Sequence, residues 1–424
     1  MDRVVVVGCG AVGLPLAVAM ATPGRTVVGV DINAQTVERL ALGDPEHLDR
    51  GLTPALKQAL DRSAIRFSQT LPPFGPATAW ILAVATPVDA DGTPVMRFFE
   101  EAVDALDAAM ADGDALAIRA TVPIGTTRRL AARLSRPGRR IHIASCPDRS
   151  IAGNALSDQA TIPHVIGALS DEDADIMEAV FRPLGSVERV SSPETAEALK
   201  LFANVYRDVR FAMANEMALV CEGVGIDFSE IAAVGARSYG RFDPGRPGPV
   251  GGPCLTKDVH LMASALTMRP RLGLAARAVN DDLMAWCLRA IDEALGDHPA
   301  TVPIAILGLA FKGVPETRDM RHAFGTRLVE RLKSDGRMVR TWDPVVDPAA
   351  ELEAVVDGAG VVVLTNDHPA LGALDLEGIQ AALIPDGVII DMWGARTLAE
   401  PPPLGVRRRT FGDGAWTART SAAG

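Results

Sequence analysis

The first residues of the chain constrain the fold more than any other stretch. Residues 4–7, VVVV, are a β-branched run typical of a buried parallel strand, and an apolar helical pattern follows Gly13. The turn between them has G-x-G-x-x-G spacing, in which glycines let the backbone approach a pyrophosphate at a helix N-terminus. The sequence therefore predicts a dinucleotide site formed by Gly8, Gly10, Ala11, Val12 and Gly13.

A second predicted strand, residues 26–30, ends at Asp31. An acidic residue about 20 positions after the glycines fits hydrogen bonding to the ribose hydroxyls of the adenosine. Its charge would repel the additional phosphate of NADP, so we expect NAD as the cofactor. The alternative interpretation is a simple tight turn followed by a solvated Asp at a strand end.

Further apolar runs end in short polar segments. Residues 79–85 lead into Thr86, residues 115–121 end at Thr121, and residues 141–144 precede Asp148. The carboxyl ends of parallel strands meet at one edge of a sheet, where ligands bind in such folds. Each Thr is equally able to cap the next helix. This alternation of strand and helix, which continues to about residue 190, predicts a parallel sheet.

A long helix is predicted after this sheet. Residues 194–224 contain no proline and have a helical apolar period. Lys200 and Asn204 lie four residues apart and therefore share one face. Their apolar neighbours favour a position beside a cleft, although a lysine on a helix is more often a solvated surface residue. A helix of this length is also typical of a domain connector or a dimer interface.

A Gly/Pro-rich loop follows the helix and reads PGRPGPVGGPCLTKD over residues 244–258. Such a composition produces turns and close backbone approaches. The loop delivers Cys254, with Lys257 and Asp258 close behind. Because only the thiolate is nucleophilic and a nearby cation favours it, Cys254 is a candidate nucleophile. Residues 257–295 are predicted to be helical.

The last part of the chain returns to the strand–helix rhythm. Strands are predicted at residues 302–307, 339–342, 360–364 and 388–391, which indicates a second, smaller doubly wound domain. Lys312, in the turn after the first of these strands, is placed to meet a nucleotide phosphate. The tail after Pro401 is expected to be partly disordered, with the arginines at 407–409 on a solvated surface, although they are also able to neutralise a diphosphate.

Composition excludes several functional classes. The net charge of -11 over 424 residues argues against a nucleic-acid partner. Five scattered cysteines form neither a disulfide framework nor a metal-ligand pattern, which suggests a reducing compartment. No uninterrupted stretch has the character of a membrane span, so we expect a cytoplasmic protein without a metal or a membrane partner.

Taken in order, these stretches resemble the UDP-glucose / UDP-N-acetylmannosamine 6-dehydrogenase family of nucleotide-sugar dehydrogenases. The resemblance runs from Val4 to about Gly394. It rests on the glycine turn with Leu14-Pro-Leu-Ala17, Ala85-Thr-Pro87, Thr121-Val-Pro-Ile-Gly-Thr126, Cys146-Pro-Asp-Arg149, Lys200-x-x-x-Asn204, Gly251-Gly-Pro-Cys254 with Lys257-Asp258, and Gly308-Leu-Ala-Phe-Lys312. The form of the Cys146 motif and Tyr206-Arg-Asp-Val209 are more similar to the N-acetylhexosamine branch than to the UDP-glucose branch.

The resemblance implies an α/β protein with two Rossmann-like doubly wound parallel-sheet domains joined by a central long-helix domain. The expected boundaries are 1–191 for the NAD-binding domain, 192–298 for the helical dimerisation domain with the cysteine loop, and 299–424 for the UDP-sugar-binding domain. It also implies a homodimer or higher homo-oligomer. The expected reaction is oxidation of the 6-hydroxymethyl group of a UDP-hexose, favouring an N-acetylhexosamine such as UDP-ManNAc or UDP-GlcNAc, to the uronic acid with two NAD.

Residue roles follow from the same resemblance. Cys254 would form a thiohemiacetal and then a thioester with the sugar C6. The expected sets are catalytic, Cys254, Lys200, Asn204, Asp258, Thr121 and Asp148; cofactor-binding beyond the glycine turn, Asp31, Thr86, Thr121 and Arg318; and substrate-binding, Asp148, Arg149, Lys200, Asn204, Val250, Gly251, Gly252, Phe311 and Lys312.

The chain departs from the family pattern at Asp148, where Glu is usual, at Arg119-Ala120, and between Lys312 and Arg318, which is one residue short. Three alternative functions stay open from sequence. They are a UDP-glucose 6-dehydrogenase, a two-electron dehydrogenase of the 3-hydroxyacid type, and a catalytically weakened UDP-sugar-binding homologue. The number of NADH formed per substrate separates the second from a four-electron enzyme.

Overall fold

The computed structural model describes residues 1–46, 48–238, 240–265, 269–394 and 405–414. The chain divides into two compact units. The first contains Met1–Asn204 and Lys257–Pro270, and the second contains Val205–Thr256 and Arg271–Gly424. One division falls within the long helix, between Asn204 and Val205. The other falls between Thr256 and Lys257, so Cys254 belongs to the second unit and Asp258 to the first. The domain boundaries expected from sequence stay a prediction.

The first unit is built on an eight-stranded sheet with the order β3-β2-β1-β4-β5-β6-β7-β8. Its strands are β1 (Arg3–Val7), β2 (Thr26–Val30), β3 (Ile65–Ser68), β4 (Thr78–Leu82), β5 (Ala115–Ile118), β6 (His142–Ser145), β7 (His164–Ala168) and β8 (Val187–Val190). The first six have the doubly wound order of dinucleotide-binding folds. The expectation of a wholly parallel sheet is wrong at β7, which pairs with β6 in antiparallel fashion because the chain enters β7 at the edge where β6 ends.

Helices cover both faces of this sheet. They are α1 (Gly13–Met20), α2 (Ala34–Ala41), α3 (Leu52–Asp61), α4 (Arg97–Ala109), α5 (Thr126–Leu134), α6 (Ala155–Thr161) and α7 (Asp171–Phe181). Strand β1 shows that both faces of the sheet are buried. Val4 and Val6 belong to one apolar cluster, and Val5 and Val7 belong to another. Successive side chains of a strand point to opposite faces, so a continuous valine run suits a sheet packed on both sides.

The long helix is α8 (Pro193–Val224), and α9 (Phe228–Ser238) follows it. The region predicted as continuous helix from residue 257 to 295 is instead two helices, α10 (Asp258–Ser264) and α11 (Arg271–Leu295). Pro270 stands directly before α11, and a proline favours the start of a helix while the residue before it is kept out of helical geometry. That prediction was wrong between the two helices.

The second unit contains a five-stranded parallel sheet with the order β10-β9-β11-β12-β13. Its strands are β9 (Ile304–Leu307), β10 (Val339–Trp342), β11 (Val361–Leu364), β12 (Val388–Asp391) and β13 (Arg408–Thr410). Its further helices are α12 (Phe324–Ser334), α13 (Leu352–Val356), α14 (Pro369–Gly372) and α15 (Leu376–Ala382). This is the shorter doubly wound order, and β9 again places alternate residues in two clusters.

Strand β13 corrects the expectation of solvated arginines at Arg409, whereas Arg407 is exposed as expected. Arg409 is only 8% exposed, and its guanidinium lies 4.6 Å from the centroid of the Trp286 ring. It also forms an ion pair with Glu293 at 3.3 Å. Apolar flanks at Val406 and Phe411, both buried, bring the run into the sheet despite its charge. Residues 402–404 and 415–424 of this tail lie outside the described residues, as do residues 395–401 before it.

The described residues contain neither a membrane-spanning helix nor a cluster of metal-binding side chains. None of the helices there combines the length and apolar character needed to cross a bilayer. The same residues contain no group of three or more His, Cys, Asp or Glu side chains placed to hold a metal ion.

Candidate active site

The glycine turn after β1 has the geometry that a pyrophosphate requires. Gly8 has φ +94°, and a Cβ at this position would lie 2.8 Å from the carbonyl oxygen of Ala83. A Cβ on Gly13 would lie only 1.8 Å from the Gly8 carbonyl oxygen. The first glycine is therefore needed for the turn and the last for close packing of α1 on the strand.

Asp31 stands at the end of β2 and faces this turn. Its Oδ2 accepts a hydrogen bond from the Cys9 backbone N–H at 2.9 Å, and its Oδ1 accepts one from Asn33 at 3.0 Å. The carboxylate remains half-buried, beside a pocket whose lining includes Gly10 and Leu14. These residues fit the adenosine half of NAD, because a fixed negative charge accepts from ribose hydroxyls and opposes a 2′-phosphate.

The two candidate threonines lie together at the carboxyl edge of the first sheet. The Thr86 hydroxyl donates to the Thr121 carbonyl oxygen at 2.6 Å. Neither caps the next helix: the residue before α5 is Gly125, and that helix begins at Thr126. The capping alternative for Thr121 is therefore wrong. This contact uses the backbone carbonyl oxygen of Thr121 and not its side-chain hydroxyl.

The carboxylate of Asp258 is held by two partners that sequence had associated with the site. Asn204 Nδ2 donates to Asp258 Oδ2 at 2.6 Å, and Lys257 Nζ lies 2.7 Å from Asp258 Oδ1. Asp258 is only 1% exposed and begins α10. Lys257, assigned from sequence to the cysteine, thus also neutralises this acid. Lys200 lies one turn before Asn204 on α8 and is half-buried.

Asp148 is buried in an ion pair that sequence analysis missed. Arg119 Nη2 contacts Asp148 Oδ1 at 2.7 Å, while the Ser150 hydroxyl donates to Oδ2 at 2.7 Å. Burial opposes ionisation of Asp148, but Arg119, Lys200 and Ser150 together outweigh it and hold its pKa below the ordinary value. The neighbouring Arg149 is exposed. The available signal was a charged residue at the end of an apolar strand.

Arg119 is itself fixed by several acceptors. Its Nη1 donates to the carbonyl oxygens of Cys146 and Pro147, and Nη2 also donates to Gln159 Oε1 at 3.1 Å. The two departures from the family pattern, at 119 and 148, are therefore in direct contact. A shorter acid at 148 meets a longer, cationic side chain at 119.

Cys254 differs from the other cysteines in exposure. Cys9, Cys146, Cys221 and Cys287 are buried, whereas Cys254 is exposed. Burial raises the pKa of Cys146 and of Cys287 to about 12, so these thiols stay protonated and unreactive near neutral pH.

The candidate substrate residues of the second unit meet around the cysteine loop, residues 244–254. A Cβ on Gly252 would lie 2.6 Å from the Phe311 ring, and the Gly252 N–H donates to the His322 carbonyl oxygen at 3.3 Å. Lys312 Nζ lies 5.5 Å from the centroid of the Phe311 ring. The structure therefore brings Gly251, Gly252, Phe311 and Lys312 together within this unit, with Val250 buried beside them.

Arg318 is exposed in the second unit. Its Nε donates to the Val345 carbonyl oxygen at 3.2 Å. The glycine turn and Asp31 belong to the first unit. The assignment of Arg318 to the cofactor stays a prediction.

Comparison with known proteins identifies the family. Residues 2–185 match the NAD binding domain of the UDP-glucose/GDP-mannose dehydrogenase family, residues 194–282 its central domain and residues 305–397 its UDP binding domain. The UDP-N-acetyl-D-mannosamine dehydrogenase of Pyrococcus horikoshii is 31% identical over 97% of this chain and 99% of that protein. The chain belongs to the UDP-glucose/GDP-mannose dehydrogenase family. It is an NAD-dependent nucleotide-sugar dehydrogenase.

One further relative and one solved structure are informative. An NDP-N-acetyl-D-galactosaminuronic acid dehydrogenase of Ralstonia nicotianae is 29% identical over 93% of this chain and 97% of that protein. The solved structure of the Pyrococcus horikoshii UDP-D-ManNAc dehydrogenase has a TM-score of 0.88 and 30% identity, covering 97% of this chain and 100% of that one. The α/β fold with two nucleotide-binding sheets and an intervening long helix is thereby confirmed.

Proposed function

We propose that this dehydrogenase oxidises the 6-hydroxymethyl group of a UDP-N-acetylhexosamine, UDP-ManNAc in the first instance, to the carboxylate by covalent catalysis at Cys254. The substrate choice is supported by the similarity to the UDP-N-acetyl-D-mannosamine dehydrogenase of Pyrococcus horikoshii. The observation that carries the covalent route is the exposure of Cys254 among four buried cysteines. Asp258, whose carboxylate is held by Asn204 and Lys257, lies four residues after Cys254 in the chain.

NAD fits the first unit through the glycine turn and Asp31, with Thr86 and Thr121 at the same sheet edge. When bound, it supplies the hydride acceptor for each of the two oxidations. The chain's own contribution there is to bind and orient. The N–H groups of the turn meet the pyrophosphate, and the Asp31 carboxylate meets the ribose hydroxyls.

The thiol determines how far the oxidation proceeds. Cys254 Sγ adds to the C6 aldehyde, and the carbonyl oxygen takes up a proton, which gives a thiohemiacetal. Loss of the remaining C6 hydride and of the hydroxyl proton then leaves a thioester. Water cleaves the C–S bond and releases the carboxylate and the thiol. Overall one CH2OH group and one water become one carboxylate, with two hydrides transferred and three protons released.

The groups of the first unit handle oxygen and water in this scheme. Lys200 and Asn204 donate to the developing oxyanion, and a well-placed donor is worth about 3 kcal/mol of barrier. Asp258, with Thr121, holds the hydrolytic water. Asp148 cannot serve as a proton carrier near neutral pH while Arg119 and Ser150 occupy its oxygens, so we assign it to binding through its charge.

The second unit binds the nucleotide. Phe311 offers an apolar ring and Lys312 a cation, beside the peptide groups of Val250, Gly251 and Gly252. We propose a homodimer formed through α8, whose Tyr206, Met213, Val220 and Val224 side chains are between 47% and 63% exposed. We place the enzyme in the cytoplasm, where reducing conditions keep a thiol such as Cys254 available.

The test is a count of NADH formed per UDP-sugar for wild type, Cys254→Ala, Cys254→Ser and the matched buried-cysteine control Cys221→Ala. We expect two NADH per UDP-ManNAc in wild type and in the control. Both Cys254 variants should bind the substrate but lose at least about a thousandfold in kcat. Intact-mass analysis during wild-type turnover should show the sugar nucleotide on Cys254 when the thioester accumulates.

The other outcomes distinguish the alternatives. One NADH per substrate identifies a two-electron dehydrogenase. Binding without turnover identifies a weakened homologue. A higher kcat/KM for UDP-glucose than for UDP-ManNAc in the same panel identifies a UDP-glucose 6-dehydrogenase. Two NADH from Cys254→Ala at a near-normal rate would rule out the covalent route.

A further inference from the structure

We infer that Asn215 is a positioning residue for the reaction: its amide holds the backbone of Gly248 on both sides of the Cα and thereby fixes the cysteine loop. The inference rests on the proposed role of Cys254. Asn215 lies on α8 and is fully buried. Gly248 precedes Cys254 by six residues in the chain.

The contact between Asn215 and Gly248 uses both ends of the amide. The Gly248 N–H donates to Asn215 Oδ1 at 2.7 Å, and Asn215 Nδ2 donates to the Gly248 carbonyl oxygen at 3.1 Å. A side-chain amide that pairs with the N–H and the carbonyl oxygen of one residue holds the two successive peptide groups that flank its Cα. A loop of glycines and prolines has no ladder of its own to provide this.

A buried polar network fixes the direction of the Asn215 amide. The second Nδ2 hydrogen goes to Asn280 Oδ1 at 2.8 Å. Asn280 Nδ2 donates to Asp208 Oδ1 at 2.8 Å, and Arg277 lies 2.8 Å from the same oxygen. A carboxylate only accepts, so Asn280 must present its nitrogen to Asp208 and its oxygen to Asn215. The orientation of Asn215 follows from that order.

Gly248 has little freedom to move away from this clamp. Its φ is +152°, and a Cβ there would lie 2.8 Å from the Trp393 ring. Two residues earlier, Arg246 donates to the carbonyl oxygens of Trp393 and Gly394, and its guanidinium lies 5.7 Å from the Trp393 ring centroid. The loop is thus held at 246 by the segment after β12 and at 248 by α8.

This arrangement matters for chemistry because the loop delivers both the nucleophile and candidate substrate contacts. Releasing Gly248 removes the hydrogen bonds between this segment and α8, and residues 249–254 gain freedom. Misplacement of a reacting group by about 1 Å lowers rate by as much as a hundredfold. A purely structural asparagine would affect stability without a selective effect on this loop.

The experiment compares Asn215→Leu, which keeps the number and branching of the side-chain heavy atoms and removes all three hydrogen bonds, with Asn215→Asp, which keeps the acceptor for the Gly248 N–H. Glu222→Gln is the matched control, because Glu222 lies two turns further along α8, is also buried, and accepts from Gly412 instead of the loop. Each protein is measured for hydrogen exchange in a peptide spanning 246–254, for kcat and KM, and for melting temperature.

For Asn215→Leu we expect at least about tenfold faster exchange at Gly248 and at least about tenfold lower kcat/KM for the UDP-sugar. The KM for NAD should stay at the wild-type value, since the glycine turn and Asp31 belong to the other unit. Asn215→Asp should fall between Asn215→Leu and wild type. Glu222→Gln should leave loop exchange and kcat/KM unchanged.

Wild-type loop exchange and kcat/KM in folded Asn215→Leu would overturn the inference, as would an equal rise in the KM for NAD and for the UDP-sugar. If Asn215→Leu does not fold, Asn215→Asp decides by the same two readouts. Failure of the covalent proposal is separable. Normal turnover by Cys254→Ala would remove the nucleophile, whereas the exchange result would still report whether Asn215 orders the loop.

Discussion

The two doubly wound sheets use the same device at their first turn. In the first unit a Cβ on Gly13 would lie 1.8 Å from the Gly8 carbonyl oxygen, and in the second a Cβ on Gly325 would lie 2.1 Å from that of Gly308. In both, a carboxylate at the end of the second strand accepts from backbone N–H groups of the turn. Two unrelated glycine spacings therefore build one kind of turn.

The difference lies in what each turn leaves exposed. Asp31 accepts from two backbone N–H groups and is half-buried, so it remains able to meet a ribose. Asp343 is 1% exposed and accepts from four backbone N–H groups, those of Leu309, Ala310, Val345 and Val346. We propose that this topological position is a ligand contact at Asp31, whereas Asp343 is a structural anchor.

The spacing explains that difference. Gly8 and Gly13 are five positions apart, whereas Gly308 and Gly325 are seventeen apart. The additional residues of the second turn carry Phe311 and Lys312, which meet the Gly252 region. The first turn leads straight into a helix N-terminus, as a pyrophosphate site requires. The second turn instead leads into a loop, whose side chains include Phe311 and Lys312, before its helix begins.

The largest expected effect comes from the glycines that pack helix on strand. Gly13→Ala and Gly325→Ala each place a methyl group against a backbone oxygen, so each should destabilise its own unit by more than about 3 kcal/mol. Thermal melts with NAD and UDP titrations check this. Gly13→Ala should lose NAD binding and retain UDP binding, and Gly325→Ala the reverse.

Gly223→Ala is the control for the glycine pair, because a Cβ on this helical glycine meets no atom within 4 Å. It should melt with the wild type or slightly above it. Loss of both ligands in both variants would contradict the view that each turn serves its own unit.

Replacing Asp31 or Asp343 by alanine, each in a separate variant, tests the difference between the two carboxylates. Asp343→Ala leaves four backbone N–H groups of buried or half-buried residues without their acceptor and should lower the free energy of unfolding by about 3 kcal/mol, without altering cofactor preference. Asp31→Ala should cost less stability and raise the ratio of kcat/KM for NADP over NAD about tenfold. Steady-state kinetics with both cofactors and thermal melts give the two numbers. Equal changes of the cofactor ratio in both variants would show that exposure does not separate the roles.

Sequence predicted the first turn and missed its counterpart for a physical reason. Gly8, Gly13 and Asp31 lie within a short stretch, and their spacing relative to the strand and helix pattern around them indicates the role of each. The glycine that packs on Gly308 is Gly325, seventeen residues later in the chain. The contact between Asp343 and the turn forms only when β9 and β10 pair. The strands themselves were largely predictable, since buried parallel strands read as apolar runs.

The candidate site divides in the same way. Lys200 and Asn204 are linked by helical spacing, so their shared face followed from sequence. The ion pair of Arg119 with Asp148 joins residues 29 positions apart, and Asn215 meets Gly248 across 33 positions. Nothing local marks these partners. Arg409 was misread because a run of arginines in a Gly/Pro-rich tail has no period that would indicate burial.

The smallest expected effect concerns the far edge of the second sheet, where β13 is tied to α8. Glu222 accepts from the Gly412 N–H at 2.8 Å. Burial raises the pKa of Glu222 to about 7 from the ordinary 4.5, against the opposing effect of the Gly412 N–H; the nearby Asp413 raises it further, and Arg409 lowers it. A folded-state pKa above the unfolded one means that the folded protein binds more protons between these two values.

Stability from this group is therefore present at low pH and is lost as pH rises through about 7. Glu222→Gln keeps an acceptor for Gly412 and cannot ionise, so its melting temperature should fall less than that of wild type between pH 5 and 8, by about 2 °C at the upper end. Melting curves of both proteins across this range provide the measurement. Glu188→Gln, on the exposed β8 edge of the first sheet, is the control and should follow the wild-type curve. Parallel curves for wild type and Glu222→Gln would mean that Arg409 keeps Glu222 ionised throughout, and that the second sheet is anchored to α8 by a permanent ion pair.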